Sequence, residues 1–152
     1  CDYSRFQSYF NLDNGAGSIR GIHAQGNGAI TPIFRQWMEP FRDLGMTHVS
    51  SRRTGSTDHV SFDNAGLPGF QFIQDTLEYE PKTHHTNMDF FEALQPEDMM
   101  RNSAILAGFA MLASNHPTML PRQPRPAEPP PIGQPQPGAL PARPAPAGSP
   151  RL

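Results

Sequence analysis

Thr83-His84-His85-Thr86-Asn87-Met88-Asp89 sets two adjacent imidazoles and, four residues after the second, a carboxylate in one short segment. Asn11-Leu12-Asp13-Asn14-Gly15 sets another carboxylate where an apolar run breaks into a turn. Imidazole nitrogen combined with carboxylate oxygen suits zinc, whereas calcium and magnesium favour oxygen alone. One aspartate and one histidine are only two ligands. A catalytic zinc needs three from the protein and a structural one needs four. Further donors are therefore expected elsewhere, in another part of the fold or in a longer protein. Each segment also has a simpler reading. Asp13 before Asn14-Gly15 satisfies ordinary turn preferences, and His84 and His85 also serve as plain polar loop residues.

These residues must be positioned by elements that the apolar pattern suggests. Residues 6–12 read as a strand ending at Asp13, and residues 19–24 as a second, shorter one. A helix follows. Thr31 is placed to cap it, Pro32 fits its first position, Gly45 closes it, and Pro40 should kink or break it. Ile33, Phe34, Trp37, Met38, Phe41 and Leu44 fall on one stripe at helical spacing. Residues 46–50 form a short strand candidate, and residues 60–65 a short helix. Phe70-Gln71-Phe72-Ile73 is the strongest strand. Residues 79–89 read as loop, and a last helix spans residues 96–114 with Met100, Ile105, Leu106, Phe109, Ala110 and Leu112 as its apolar members. Strands alternating with helices predict an α/β fold, a three-layer α/β/α sandwich around a mixed sheet.

Composition divides the chain. Residues 117–152 hold 13 prolines among 36 residues and no aromatic side chain, too little apolar surface to offset the entropy of ordering. The reading is a folded body over residues 1–116 and a disordered tail of polyproline II character over residues 117–152. The body carries 8 basic and 13 acidic residues, a balance of −5, and the tail 4 arginines against Glu128, a balance of +3. An acidic body argues against nucleic-acid binding. No run approaches the roughly 18 apolar residues of a membrane span. Cys1 is the sole cysteine, so no intrachain disulfide forms. A chain opening on Cys1 with a core strand so close behind is expected to be part of a longer protein.

Two other chemistries fit poorly. Ser56, Asp58 and His59 are the residue types of a serine hydrolase, but no Gly-x-Ser-x-Gly elbow is present and a triad rarely lies so close in sequence. Gly15-Ala16-Gly17 lacks the third glycine of a dinucleotide fingerprint.

The order of the pieces is more telling than any one of them. A carboxylate after a strand is followed by Gly55-Ser56-Thr57-Asp58-His59 with Phe62, then Ala65-Gly66-Leu67-Pro68-Gly69, then His85-Thr86 and Asp89, then a terminal helix. Over about residues 5–115 this resembles the C-terminal half of the zinc-dependent aminopeptidase and glutamate carboxypeptidase family, whose members use two co-catalytic metals. The doubled His84-His85 is most similar to the plasma-type glutamate carboxypeptidase branch and its bacterial relatives. The resemblance implies that Asp13 ligates one zinc and His85 the other. It places Asp58 and His59 near the floor of the site and His84 against the substrate or tetrahedral intermediate, with Asp89 orienting the loop or the ligand. It also implies a peptide or dipeptide substrate and a secreted or periplasmic location.

The same family requires an upstream His, a metal-bridging Asp and a Glu-Glu pair, the first Glu being the general base. None has a counterpart here, so the resemblance implies that they precede Cys1 and that this chain alone is inactive. Three readings stay open on sequence. The first is part of a zinc exopeptidase. The second is a glutaminyl-cyclase-like zinc acyltransferase, which shares fold and loops. The third is a non-catalytic protein acting through Pro124-Arg125-Pro126 and Pro144-Ala145-Pro146, which suit aromatic grooves.

Overall fold

A computed structural model describes residues 2–55 and 57–124. Its sheet has four strands: β1 (Tyr9–Asn11), β2 (Ile19–His23), β3 (His48–Ser50) and β4 (Gly69–Gln74), in the order β1-β4-β2-β3. β1 runs parallel to β4, and β2 parallel to β3, but β2 and β4 are antiparallel, so the sheet is mixed. The helices are α1 (Thr31–Met38), α2 (His59–Asn64) and α3 (Pro96–Ser114).

Alternation along the strands assigns the helices to layers. Phe10 of β1 meets Phe34 of α1, Phe70 and Phe72 of β4, and Phe109 of α3 at ring separations of 5.8–6.4 Å. Its neighbour Tyr9 points to the other face and stacks on Phe62 of α2 at 4.3 Å. α1 and α3 therefore cover one face and α2 the other, giving the expected three layers. Phe109 sits at the centre of the larger core, edge-on to Trp37, Phe72 and Phe10. Such edge-to-face pairs add about 0.5–1.5 kcal/mol each beyond their burial.

Several elements differ from expectation. Ile30, not Thr31, occupies the N-cap position of α1, without a side-chain bond, and Thr31 is the first helical residue. The break at Pro40 is real: α1 gives way to a 3-10 segment over Glu39–Leu44, which Gly45 ends at φ +92. β1 is shorter than residues 6–12. Tyr3–Arg5 is a 3-10 turn, and the Arg122 guanidinium donates to the carbonyls of Ser4 and Phe6, which strand pairing would otherwise occupy. Tyr79–Thr83, read as loop, is one π-helical turn. On α3, Met100 is 66% exposed, while Asn102, Ile105, Phe109 and Ala113 are buried. Asn102 lies three residues before Ile105, so it takes the core-facing position. There it receives the Ile19 amide at 2.8 Å and donates to the Gly17 carbonyl at 3.0 Å. A polar residue at this position escapes a search for apolar spacing.

Residues 117–123, assigned by composition to the tail, contact the body. Leu120 is buried, its amide donates to Gln7, the Pro121 carbonyl accepts from Asn27, and Gln123 donates to the Gln25 carbonyl. The rest of the expected tail, residues 125–152, lies outside the described residues.

Gly21 of β2 lies opposite His48 of β3. A Cβ there would stand 2.1 Å from the His48 carbonyl oxygen, a main-chain atom of the paired strand. Gly21→Ala is expected to destabilise the fold by about 2 kcal/mol or more, read as a lower urea midpoint at unchanged m-value.

Candidate active-site cleft

A cleft of ≈ 690 Å³ opens at the end of β1. Asp13, Tyr79, Glu80, His84, His85 and Asp89 line it, together with Asn14 and Gly55. Two distant parts of the sequence therefore converge. Asp13 arrives because β1 ends at Asn11, and two residues carry the chain off the sheet. The histidines arrive because β4, hydrogen-bonded beside β1, releases the chain through residues 75–78 into the π turn Tyr79–Thr83.

Asp13 is held at two points. Its Oδ2 accepts from the Thr57 hydroxyl, and its main-chain carbonyl accepts from the Tyr79 phenol at 3.2 Å. No described residue donates to Oδ1. The histidines line the same cleft beside Tyr79. Tyr79 lies on His84 at 4.7 Å, and His84 on His85 at 4.0 Å. Glu80, one helical turn before His84, faces its Nδ1 at 3.7 Å. His85 is exposed and takes φ +57, a left-handed conformation that non-glycine residues adopt at a cost. Backbone strain of this kind gathers at functional sites.

The lining includes three carboxylates and no lysine or arginine. Their field is legible on Tyr79. Burial pushes its phenol above the ordinary value, and the carboxylates of Asp13, Glu80 and Asp89 push it further the same way.

Asp13, His84, His85 and Asp89 thus line one cleft. Asp58 and His59 do not line it. Both stand where the chain enters α2, which packs on β4 and β1. Asp58 is exposed and acts on Tyr9, whose phenol is raised by burial first and by Asp58 second. His59 is fully buried, its Nε2 donating to the Thr54 carbonyl at 3.1 Å and its Nδ1 without a partner among the described residues. Thr57, Tyr79 and Glu80 escaped the sequence reading. Only the i, i+4 spacing of Glu80 to His84 signalled any of them, and only to a reader who expected a helical turn there.

As a zinc site, the donor set fits in kind but not in number. Asp13 offers carboxylate oxygen and His85 imidazole nitrogen, both exposed to the cleft. Among the described residues, no three His, Cys, Asp or Glu side chains gather as a metal-holding group.

The profile of peptidase family M28 matches residues 2–110. The chain belongs to peptidase family M28. Among curated proteins it is similar to carboxypeptidase Q of Mus musculus and of Rattus norvegicus, each 27% identical over 119 residues. Those alignments cover 78% of this chain and 25% of each relative, so the chain spans about a quarter of the proteins it matches. No solved structure gives a significant match. No described helix is long and apolar enough to cross a membrane.

The raised phenol of Tyr79 gives a pH test. A raised folded-state value means that stability is complete below the ordinary phenol value and is lost as pH rises through the folded one. Tyr79→Phe is expected to cost about 0.5–1 kcal/mol near neutrality through its lost bond to Asp13. The variant should also lose less stability than wild type as pH climbs past the ordinary phenol range. Urea unfolding across that range, with phenolate absorbance followed in parallel, measures both effects.

Proposed function

We propose that this M28 domain forms part of a zinc-dependent exopeptidase that hydrolyses a peptide bond at a chain end. The observation that carries the reading is the convergence of Asp13 and His85 on one cleft from two segments far apart in sequence. In this reading Asp13, whose Oδ1 no described residue occupies, would hold one metal, and His85 would hold the other. Zinc, when bound, supplies Lewis acidity toward a water and toward the scissile carbonyl.

The chain's own residues bind and orient. His84, stacked between Tyr79 and His85 and steadied by Glu80, is placed to donate to the oxygen on which charge develops. Asp89, which lines the same cleft, is assigned to orienting the loop or the His85 ligand itself. The general-base glutamate and the remaining ligands come from sequence beyond residues 1–152. Two observations support this: the described residues contain no three-ligand cluster, and the matched relatives are about four times longer than the aligned stretch. The substrate is then a peptide or dipeptide, and the complete enzyme acts in a secreted or periplasmic setting.

The test compares residues 1–152 alone with the same residues joined to a segment supplying the missing donors, on dipeptides and aminoacyl nitroanilides. The chain alone should show no chelator-sensitive turnover. The joined protein should show zinc-dependent turnover, and His85→Ala should lower it by at least ~100-fold, since even outer partners of metal ligands act on a 10–100-fold scale. Robust chelator-sensitive turnover by residues 1–152 alone would mean that the catalytic residues lie elsewhere.

A further inference from the structure

We infer that Thr57 is a positioning residue that fixes the rotamer of Asp13, and that a buried amide pair beneath it dictates the direction of its hydroxyl. The inference deepens the peptidase reading, in which Asp13 is the group held in place.

Asn11 ends β1 directly opposite Gln71 of β4, on the face covered by α2. Its Nδ2 carries two hydrogens and points them at two acceptors, Gln71 Oε1 at 2.7 Å and Thr57 Oγ1 at 2.7 Å. Asn11 Oδ1 is turned the other way, toward the Tyr9 hydroxyl at 3.4 Å. Thr57 Oγ1 therefore already accepts a hydrogen bond. Its single proton remains to be donated, and Asp13 Oδ2 is the acceptor it meets. Asn11 and Gln71 are both buried, so water does not compete for these groups and an unmade bond there is costly. The sheet thus imposes a direction on the chain of bonds from Gln71 to Asp13. One carboxylate oxygen is occupied and the other is left toward the cleft. The Tyr79 phenol on the Asp13 carbonyl fixes the backbone of the same residue from the opposite side.

The arrangement has one rival. Gln71 Nε2 is buried without a partner among the described residues. Were both amides reversed, that nitrogen would donate to Asn11 Oδ1, which would then also draw the Thr57 proton away from Asp13. The two amide orientations predict opposite behaviour of Asp13, so one measurement decides between them.

The measurement is the pair of three-bond couplings from Asp13 Cγ to its own amide nitrogen and carbonyl carbon, recorded on the full 152-residue chain without metal. Wild type should give values of one staggered rotamer. Thr57→Val, which keeps the shape but removes the hydroxyl, should give rotamer-averaged couplings, and Thr57→Ser should restore the wild-type values. Asn11→Asp replaces the donor by an acceptor that competes for the Thr57 proton, and it should also release Asp13. Averaged couplings in wild type, or unchanged couplings in a folded Thr57→Val, overturn the proposal. The wild-type arm decides even if a variant fails to fold. Because no metal or turnover is involved, a fixed Asp13 together with an inactive joined protein would count against the peptidase reading alone, and a mobile Asp13 against this inference alone.

Discussion

The rest of the structure depends on the pairing of β1 with β4 in one register. Phe10 opposite Phe70 and Asn11 opposite Gln71 place two phenylalanines on one face and two amides on the other. A one-residue slip of β1 would turn its faces over, driving Asn11 toward the aromatic core and Phe10 under α2. Burial of Phe10, Phe70, Phe72 and Phe109 is the main force opposing that slip. In the correct register the buried Asn11 amide nitrogen donates to the Gln71 side-chain carbonyl.

The site is built outward from that pair. A strand end is a rigid platform, and the residues just beyond it leave the sheet with little freedom in direction. Asp13 leaves β1 in this way, next to the chain that leaves β4 and turns once at Tyr79–Thr83. Parallel neighbours deliver their C-terminal ends to the same side of a sheet, which is where ligands bind in open α/β folds. The cleft at this edge follows from the parallel pairing of β1 and β4, and neither strand alone specifies it.

The same geometry accounts for the division of labour on the α2 side. α2 is short and packs through Phe62 on Tyr9, so the residues leading into it are distributed by packing rather than by chemical type. Thr57 reaches Asp13, Asp58 turns to Tyr9, and His59 is drawn inward to the Thr54 carbonyl. Three consecutive polar residues thus acquire three different environments, and the most chemically versatile of them, His59, is the one buried away from the cleft.

Sequence alone determined the parts of this protein that depend on local periodicity and on order along the chain. The helix broken at Pro40, the strand at Phe70-Gln71-Phe72-Ile73, the long terminal helix, the α/β class and the family follow from residues read in line. Order along the chain also singled out Asp13, His84, His85, Asp89, Asp58 and His59, of which the first four line one cleft. What only the tertiary structure decided involves contacts between residues far apart. Asn102 as a core clamp, the docking of Leu120 and Gln123 on the body, and the Thr57 hydroxyl on Asp13 all rest on partners at least 44 positions away. Periodicity reports which face of an element is apolar. It does not report which buried polar group another strand or helix will satisfy, because that depends on register and layer order, which are set only when the whole sheet has formed.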